Sequence, residues 1–165
     1  MTGKGSLNHN SRKFHAKNTD PNRTHWNVEY CNEDIKDVYH ELFDEPLKRY
    51  NDKQTRKDRK IDDYYEKIRS GKQEKLFHEV ILQIGDKDNM GSETMEGQLA
   101  AKILDEYMKG FQERNPTLRV FAAHLHLDEA TPHLHIDFIP YVTGSKRGLD
   151  TRVSLKQALS SLGFK

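Results

Sequence analysis

Four of the nine histidines fall in one stretch of fourteen residues, His124-Leu125-His126-Leu127-Asp128-Glu129-Ala130-Thr131-Pro132-His133-Leu134-His135-Ile136-Asp137. They form two His-x-His pairs, each set in an alternating apolar run. On a β-strand, side chains two apart share a face. Val120, Ala122, His124, His126 and Asp128 then share one face, and Phe121, Ala123, Leu125 and Leu127 the other. In the second run His133, His135 and Asp137 share a face, backed by Leu134, Ile136 and Phe138. Asp128, Thr131 and Pro132 between the runs suit a short connection of neighbouring strands. Pairing of the two strands brings three or four imidazoles and Glu129 onto one patch. Neutral imidazole is the commonest biological metal ligand, and three of them without a cysteine leave positions open for water or substrate, as a catalytic ion needs. One such histidine alone reads more simply as a satisfied polar residue; four on matched faces do not.

Periodicity supplies the elements that must hold this patch. Residues 1–25, with Gly3, Gly5, Ser6, Asn8, Asn10 and Ser11 and then Asn18-Thr19-Asp20-Pro21-Asn22, read as irregular loop. Trp26 to Tyr30 alternates as a half-buried strand. A helix follows, capped at Asn32 or Asp34, burying Ile35, Val38, Tyr39, Leu42 and Phe43, and broken or kinked at Pro46. A second, charged helical stretch runs to the Ser70-Gly71 stop, its tyrosines serving as core or interface. Leu76 to Ile84 is a strand on which His78 reads as a core histidine. Glu93 to Arg114 is helical with Leu99, Ile103, Leu104, Tyr107, Met108 and Phe111 inward, ending at Asn115-Pro116. After the two histidine strands and a Gly144–Gly148 loop, Ser154-x-x-Gln157 predicts a capping box for a last helix. The expected fold class is α+β: a mainly antiparallel sheet with helices on one face and the metal site on the other.

The chain has 165 residues, 34% of them apolar and 32% charged, with a mean hydropathy of −0.96. That length suits one domain, 1–165, with a densely charged surface. A single cysteine, Cys31, excludes an internal disulfide. No apolar stretch approaches transmembrane length, so a cytoplasmic protein without membrane contact is expected. The net charge of +1 conceals an asymmetry. Residues 1–23 carry five Lys/Arg against one Asp, and residues 47–75 carry eleven against six Asp/Glu. Residues 76–113 carry three against eight. Basic segments beside a metal patch favour a polyanionic substrate, because neutralising phosphates drives nucleic-acid association; for 47–75 a helix face laced with ion pairs is an equal reading.

The turn-rich start holds His9, Arg12, His15, Arg23 and His25, and the arginine fork suits phosphate oxygens. Taken together, three ordered motifs resemble the Mob/Pre (MobV) plasmid mobilisation and recombination relaxases, a branch of the HUH endonucleases. His9-Asn10-Ser11-Arg12 is similar to the first motif of that family and Arg23-Thr24-His25-Trp26-Asn27 to the second. His126-x-Asp128-Glu129-x-x-Pro132-His133-x-His135 resembles its metal-binding motif. The match spans about residues 5–140.

The resemblance implies a strand-specific nick in single-stranded DNA at a transfer origin by transesterification. His9 would be the nucleophile, giving a free 3′-hydroxyl and a 5′-phosphoryl-histidine adduct, with Glu129 orienting it or, alternatively, ligating the metal. His126, His133 and His135 would hold a divalent ion, manganese or magnesium by resemblance and zinc by ligand softness. Asn10, Arg12, Arg23, His25 and Asn27 would bind DNA, with Arg12 and Arg23 on flanking phosphates. His124 departs from the family pattern, as a fourth ligand, a neighbour of the ligands or a bystander. The short lead before His9 and the end after Gly163 are expected to mark a catalytic-domain fragment, a monomer or a dimer through a C-terminal region it lacks. Three other readings compete: a tyrosine-dependent rolling-circle initiator using Tyr30 or Tyr39, a metal-stabilised DNA-binding module without catalysis, and a generic zinc hydrolase.

Overall fold

The computed structural model describes residues 6–164, so Gly3 and Gly5 of the turn-rich lead lie outside the described residues. Its fold is α+β, as the sequence pattern requires. Strands β1 (Val28–Asn32), β2 (His78–Gln83), β3 (Leu118–His126), β4 (His133–Val142) and β5 (Arg152–Val153) form one sheet in the order β1-β3-β4-β2, with β5 on β4. The β1–β3, β2–β4 and β4–β5 pairings are antiparallel. By contact the chain divides into two compact units.

The first unit takes the segment ending at Asn32, His78–Arg114 and Ala122–Phe138. Register decides which side chains face the site. Glu79 pairs with Asp137, Ile81 with His135 and Gln83 with His133, and across β3 Glu29 pairs with His124. Paired residues share a face, so β2 adds Glu79 and β1 adds Glu29 to the histidine face. The opposite face carries Leu125, Leu134 and Ile136, all buried. The part of the histidine face around the imidazoles is closed to solvent, with His124 4%, His126 1% and His135 7% exposed, whereas Glu29 and Ile81 stay exposed. What closes it is α1, Leu7–Asn10, a one-turn helix where loop was expected. One turn has no period to read, and tertiary bonds rather than propensity hold it.

Three further expectations in this unit shift. The first strand starts two residues later, at Val28, because Thr24–Trp26 is a 3₁₀ turn. Its register slips between Glu29 and Cys31, and the bulge at Tyr30 breaks the alternation read from Trp26 to Tyr30. The helix expected over 93–114 is two helices, α4 (Met95–Lys109) and α5 (Phe111–Arg114). Thr94 caps α4 by accepting from the Gly97 amide. Helix α4 buries Gly97, Ala100, Leu104 and Met108, leaving Leu99, Ile103 and Tyr107 outside at 59%, 49% and 41% exposure. Gly97 explains the rotation: a Cβ there would sit 1.9 Å from the Gly91 carbonyl oxygen, so the small-residue side is the one drawn in.

The second unit takes Glu33–Phe77, Asn115–Phe121 and the segment starting at Ile139. Helix α2 (Ile35–Asp52), capped by Asp34, runs through Pro46 instead of ending there. One amide bond is lost, but Pro46 lies on the same buried stripe as Val38, Tyr39 and Phe43. Helix α3 (Tyr64–Ser70) brings Tyr64 and Tyr65 onto that stripe, with Phe43–Tyr64 rings 4.8 Å apart and Tyr39–Tyr65 rings 5.2 Å apart. The Tyr64 hydroxyl accepts from the Val153 amide at 3.0 Å. Ser154 caps α6 (Leu155–Ser161) by accepting from the Gln157 amide, as the capping-box spacing predicts. The short β5 before it was invisible to periodicity.

Phe121 is 0% exposed and packs edge-on to Phe77 at 5.5 Å. Phe121→Ala should lower unfolding free energy by about 3–5 kcal/mol, read from urea denaturation midpoints; a loss below about 1 kcal/mol would contradict this packing.

Candidate functional site

The site is built where α1, the 20s loop and the β3–β4 connection meet, all within the first unit. Asp128 is 0% exposed and stands at the exit of β3. Arg12 grips it with Nη2 at 2.5 Å and Nε at 2.9 Å, a two-pronged ion pair. Thr24 Oγ1 donates to the same carboxylate at 3.1 Å. Although burial alone would raise its pKa, hydrogen bonds from Arg12, Asn27 and Thr24 and the Arg12 charge hold Asp128 far below the usual carboxylate range. The Asn27 side-chain oxygen accepts from the Leu127 amide at 2.7 Å and the Asp128 amide at 3.2 Å. The first two sequence motifs are thereby tied to the third.

Arg12 has φ +53, a left-handed conformation unusual for a side-chain-bearing residue. That backbone lets its guanidinium reach Asp128, Glu129 (2.9 Å) and the His9 carbonyl oxygen (2.9 Å) at once. Its donors are therefore spent inside the protein instead of projecting toward flanking phosphates. Glu129 collects Arg12, Asn18 Nδ2 at 2.8 Å and His9 Nε2 at 3.4 Å, and lies 3.8 Å from His133 Nε2.

His126, His133 and His135 place one nitrogen each within 4.8 Å of one another, the donor group expected from sequence. Their ring centroids are 4.8–5.2 Å apart. The His9 ring stands 6.1 Å from His126 and 6.5 Å from His135. Neighbours set the tautomers. His133 Nδ1 donates to the Thr131 carbonyl at 2.8 Å and His135 Nδ1 to Glu79 at 3.0 Å, so Nε2 of each keeps its lone pair. His126 Nε2 donates to the Asn10 carbonyl at 2.8 Å, leaving Nδ1 unprotonated. His126 Nδ1 and His135 Nε2 are buried without a hydrogen-bond partner among the described residues. Burial above all, with the charges of Arg12, His135 and His133, pushes His126 down to about 3, and burial likewise lowers His133. Buried imidazoles, two of them with an unpartnered ring nitrogen, fit a divalent ion.

Glu79 was not singled out in the sequence, because an isolated Glu on an apolar strand carries no motif, and Asp137 was placed on the histidine face without a role; strand register pairs the two. Asn10 Nδ2 donates to Glu79 at 2.6 Å and Asp137 at 3.2 Å, fastening α1 to the sheet. Burial first, then the Glu79 charge, pushes Asp137 up to about 7, while bonds from His135 and Asn10 hold Glu79 below its usual value despite its burial. His124 turns away from the three-histidine group and meets Glu29 at 3.1 Å. His78 is buried, stacked on Phe138. Arg23 pairs with Asp20 at 3.1 Å, and His25 packs edge-on to Trp26. The Tyr30 hydroxyl donates to Asp105 on α4, and burial raises its pKa. Tyr39 lies in the second unit, donating to the Leu76 carbonyl. Neither tyrosine is presented as a nucleophile.

With this geometry in hand, comparison with known proteins is direct. The family model described as "Plasmid recombination enzyme", Mob_Pre, matches residues 4–162. The chain belongs to the Mob_Pre family. The structure of this plasmid recombination enzyme is similar to the MobM relaxase domain (MOBV; Mob_Pre) bound to plasmid pMV158 oriT DNA in a Mn-bound crystal structure at pH 5.5. Identity is 26% and TM-score 0.51, covering 96% of this chain and 79% of that one. A second structure of that complex, at pH 4.6, aligns with 23% identity and TM-score 0.47 over 96% of this chain and 80% of that one. Among curated proteins no sequence matches. The three-histidine group is one that could hold a divalent ion, in a chain whose fold matches a relaxase domain. No described helix is long and apolar enough to cross a membrane.

Two outcomes follow for stability. Arg12→Gln strands a buried Asp128 and should cost about 3–5 kcal/mol by chemical denaturation, whereas a cost near that of a surface change would remove the pair from its central role. In metal-free protein, His126 is neutral when folded and takes a proton below about pH 6.5 when unfolded. Its contribution is complete above that pH and is lost as pH falls toward about 3. Asp137 acts in the opposite sense, stabilising at low pH and losing that contribution as pH rises toward about 7. The difference between wild type and His126→Gln isolates the histidine: the wild-type advantage should shrink by about 2 to 3 kcal/mol between pH 7.5 and 4.5. An unchanged difference would refute the depressed titration.

Proposed function

We propose that this chain nicks one strand of DNA at a transfer origin by transesterification at His9, for plasmid mobilisation or recombination. The observation that carries the reading is the placement of His9: its ring adjoins two imidazoles of the ion cradle and its Nε2 faces Glu129 at 3.4 Å. Arg12 Nη1 lies 3.3 Å from the same nitrogen. Attack from the unprotonated ring nitrogen of His9 on the scissile phosphorus forms a P–N bond as the P–O3′ bond breaks. The departing oxygen takes a proton to become a 3′-hydroxyl, and the 5′-phosphoryl group stays on His9. Glu129 stabilises the cationic ring during attack, and Arg12 fixes the carboxylate and the helix turn from which His9 projects.

A divalent ion bound by His126, His133 and His135 supplies charge to the non-bridging phosphate oxygens. Manganese is the first choice, since the related MobM structures are Mn-bound and carry oriT DNA. Among the remaining motif residues, Arg23, His25 and Asn27 support DNA binding from the 20s loop. Residues 1–165 act as a single relaxase domain in the cytoplasm, where plasmid DNA resides; the family match over 4–162 supports this.

The test is mass spectrometry of the protein after incubation with origin oligonucleotide and manganese. Wild type should gain a DNA adduct on His9, chelator should abolish it, and His9→Ala should form none. An adduct retained by His9→Ala would transfer the chemistry to another residue.

A further inference from the structure

The basic stretch 47–75 is not used by the nicking site, and the second unit shows where its charge goes. A cleft of about 680 Å³ opens there between α3 and the loop that precedes β5. Its floor is apolar, with Ile61 and Leu149, and its rim carries Lys67, Lys72, Arg147 and Arg152. These cations come from segments some eighty residues apart in sequence, and the fold converges them on one opening.

The ion pairs nearby are selective. Arg49 takes Asp150 with two bonds of 2.8 Å, and Arg69 takes Glu66. The four rim cations take no carboxylate among the described residues. Arg152 is instead oriented by neutral groups, donating to Ser145 Oγ at 2.9 Å and Gln157 Oε1 at 3.0 Å. The one carboxylate lining the cleft, Glu74, accepts from the Leu155 amide at 3.3 Å. The loop that carries Arg147 is held on α2 by the Arg49–Asp150 pair and turns at Gly144 and Gly148, both with φ +71. The cations are thus presented on an anchored frame with no internal use for their charge.

We propose that this cleft is a second DNA contact, which binds the phosphodiester backbone away from the nicked phosphate. Exposed Lys67, Lys72 and Arg147 with half-buried Arg152 suit phosphates, and such contacts give affinity without sequence preference. The inference rests on the reading of the chain as a DNA-nicking enzyme. It adds to it that grip and chemistry reside in separate parts of the fold.

The experiment compares wild type with the double variant K67E/R147E and, as a gentler control for folding, K67Q/R147Q. Binding to an origin oligonucleotide with long flanks is measured by fluorescence anisotropy across a salt series. Adduct formation is measured on a short oligonucleotide that spans only the nick. The variants should bind long DNA at least about tenfold more weakly near 0.1 M salt, with the slope of log affinity against log salt reduced by about 1.5 to 2 for the two lost contacts. Adduct yield on the short oligonucleotide should match wild type. Unchanged long-DNA affinity and slope in both variants would overturn the cleft assignment, and so would an equal loss on the short substrate. Absence of any adduct with wild type would instead strike the nicking reading, while the salt slope would still report on the cleft.

Discussion

The carboxylate of Asp128 is the joint on which the site depends. It is fully buried, and an ionised group taken from water is tolerated only when its oxygens are matched by donors. Arg12, Thr24 and the Asn27 side chain meet that requirement or support its backbone, and they come from two separate parts of the amino-terminal segment. The same arginine that neutralises Asp128 also holds Glu129 and the His9 carbonyl. That one ion pair therefore fixes His9, Glu129 and the end of the strand that bears His126 in a common frame.

Around that joint, burial and hydrogen bonding divide labour among chemically identical side chains. His133 and His135 each give one N–H to a fixed acceptor and keep a lone pair for an ion. His124, two residues before a ligand and on the same strand face, is instead claimed by Glu29. Two carboxyl groups on facing strands, Glu79 and Asp137, differ likewise: one is held charged by His135 and Asn10, and the other is pushed toward neutrality by burial and its neighbour. Such separation of environments lets a dense polar cluster exist inside a sheet without mutual repulsion unfolding it.

Much of this was legible in sequence, and the reasons for the rest are physical. Period two across His124–His126 and His133–His135 fixed the faces of β3 and β4, and the three ordered motifs pointed to the family. What escaped was whatever depends on partners rather than period. The turn of helix that carries His9 has no repeat and exists because Asn10 is bonded to Glu79 and Asp137. The rotation of α4 follows from a backbone approach at Gly97 that no apolar count reveals. Pro46 is absorbed because its ring falls on a buried stripe. Arg12, read as a phosphate clamp, has its fork occupied by two carboxylates that only the fold brings near it.

The span between α1 and its anchors carries a consequence for how the enzyme comes into being. Asn10 and the imidazole of His126 that donates to it are 116 positions apart. At roughly 5–20 residues per second of synthesis, about 6 to 23 seconds pass between the appearance of the first and the second. Throughout that interval a one-turn helix has nothing to dock on, and a turn of that length does not persist alone. The nascent chain therefore carries His9 without its frame until His126, His133 and His135 have been made, so the site assembles late and all at once.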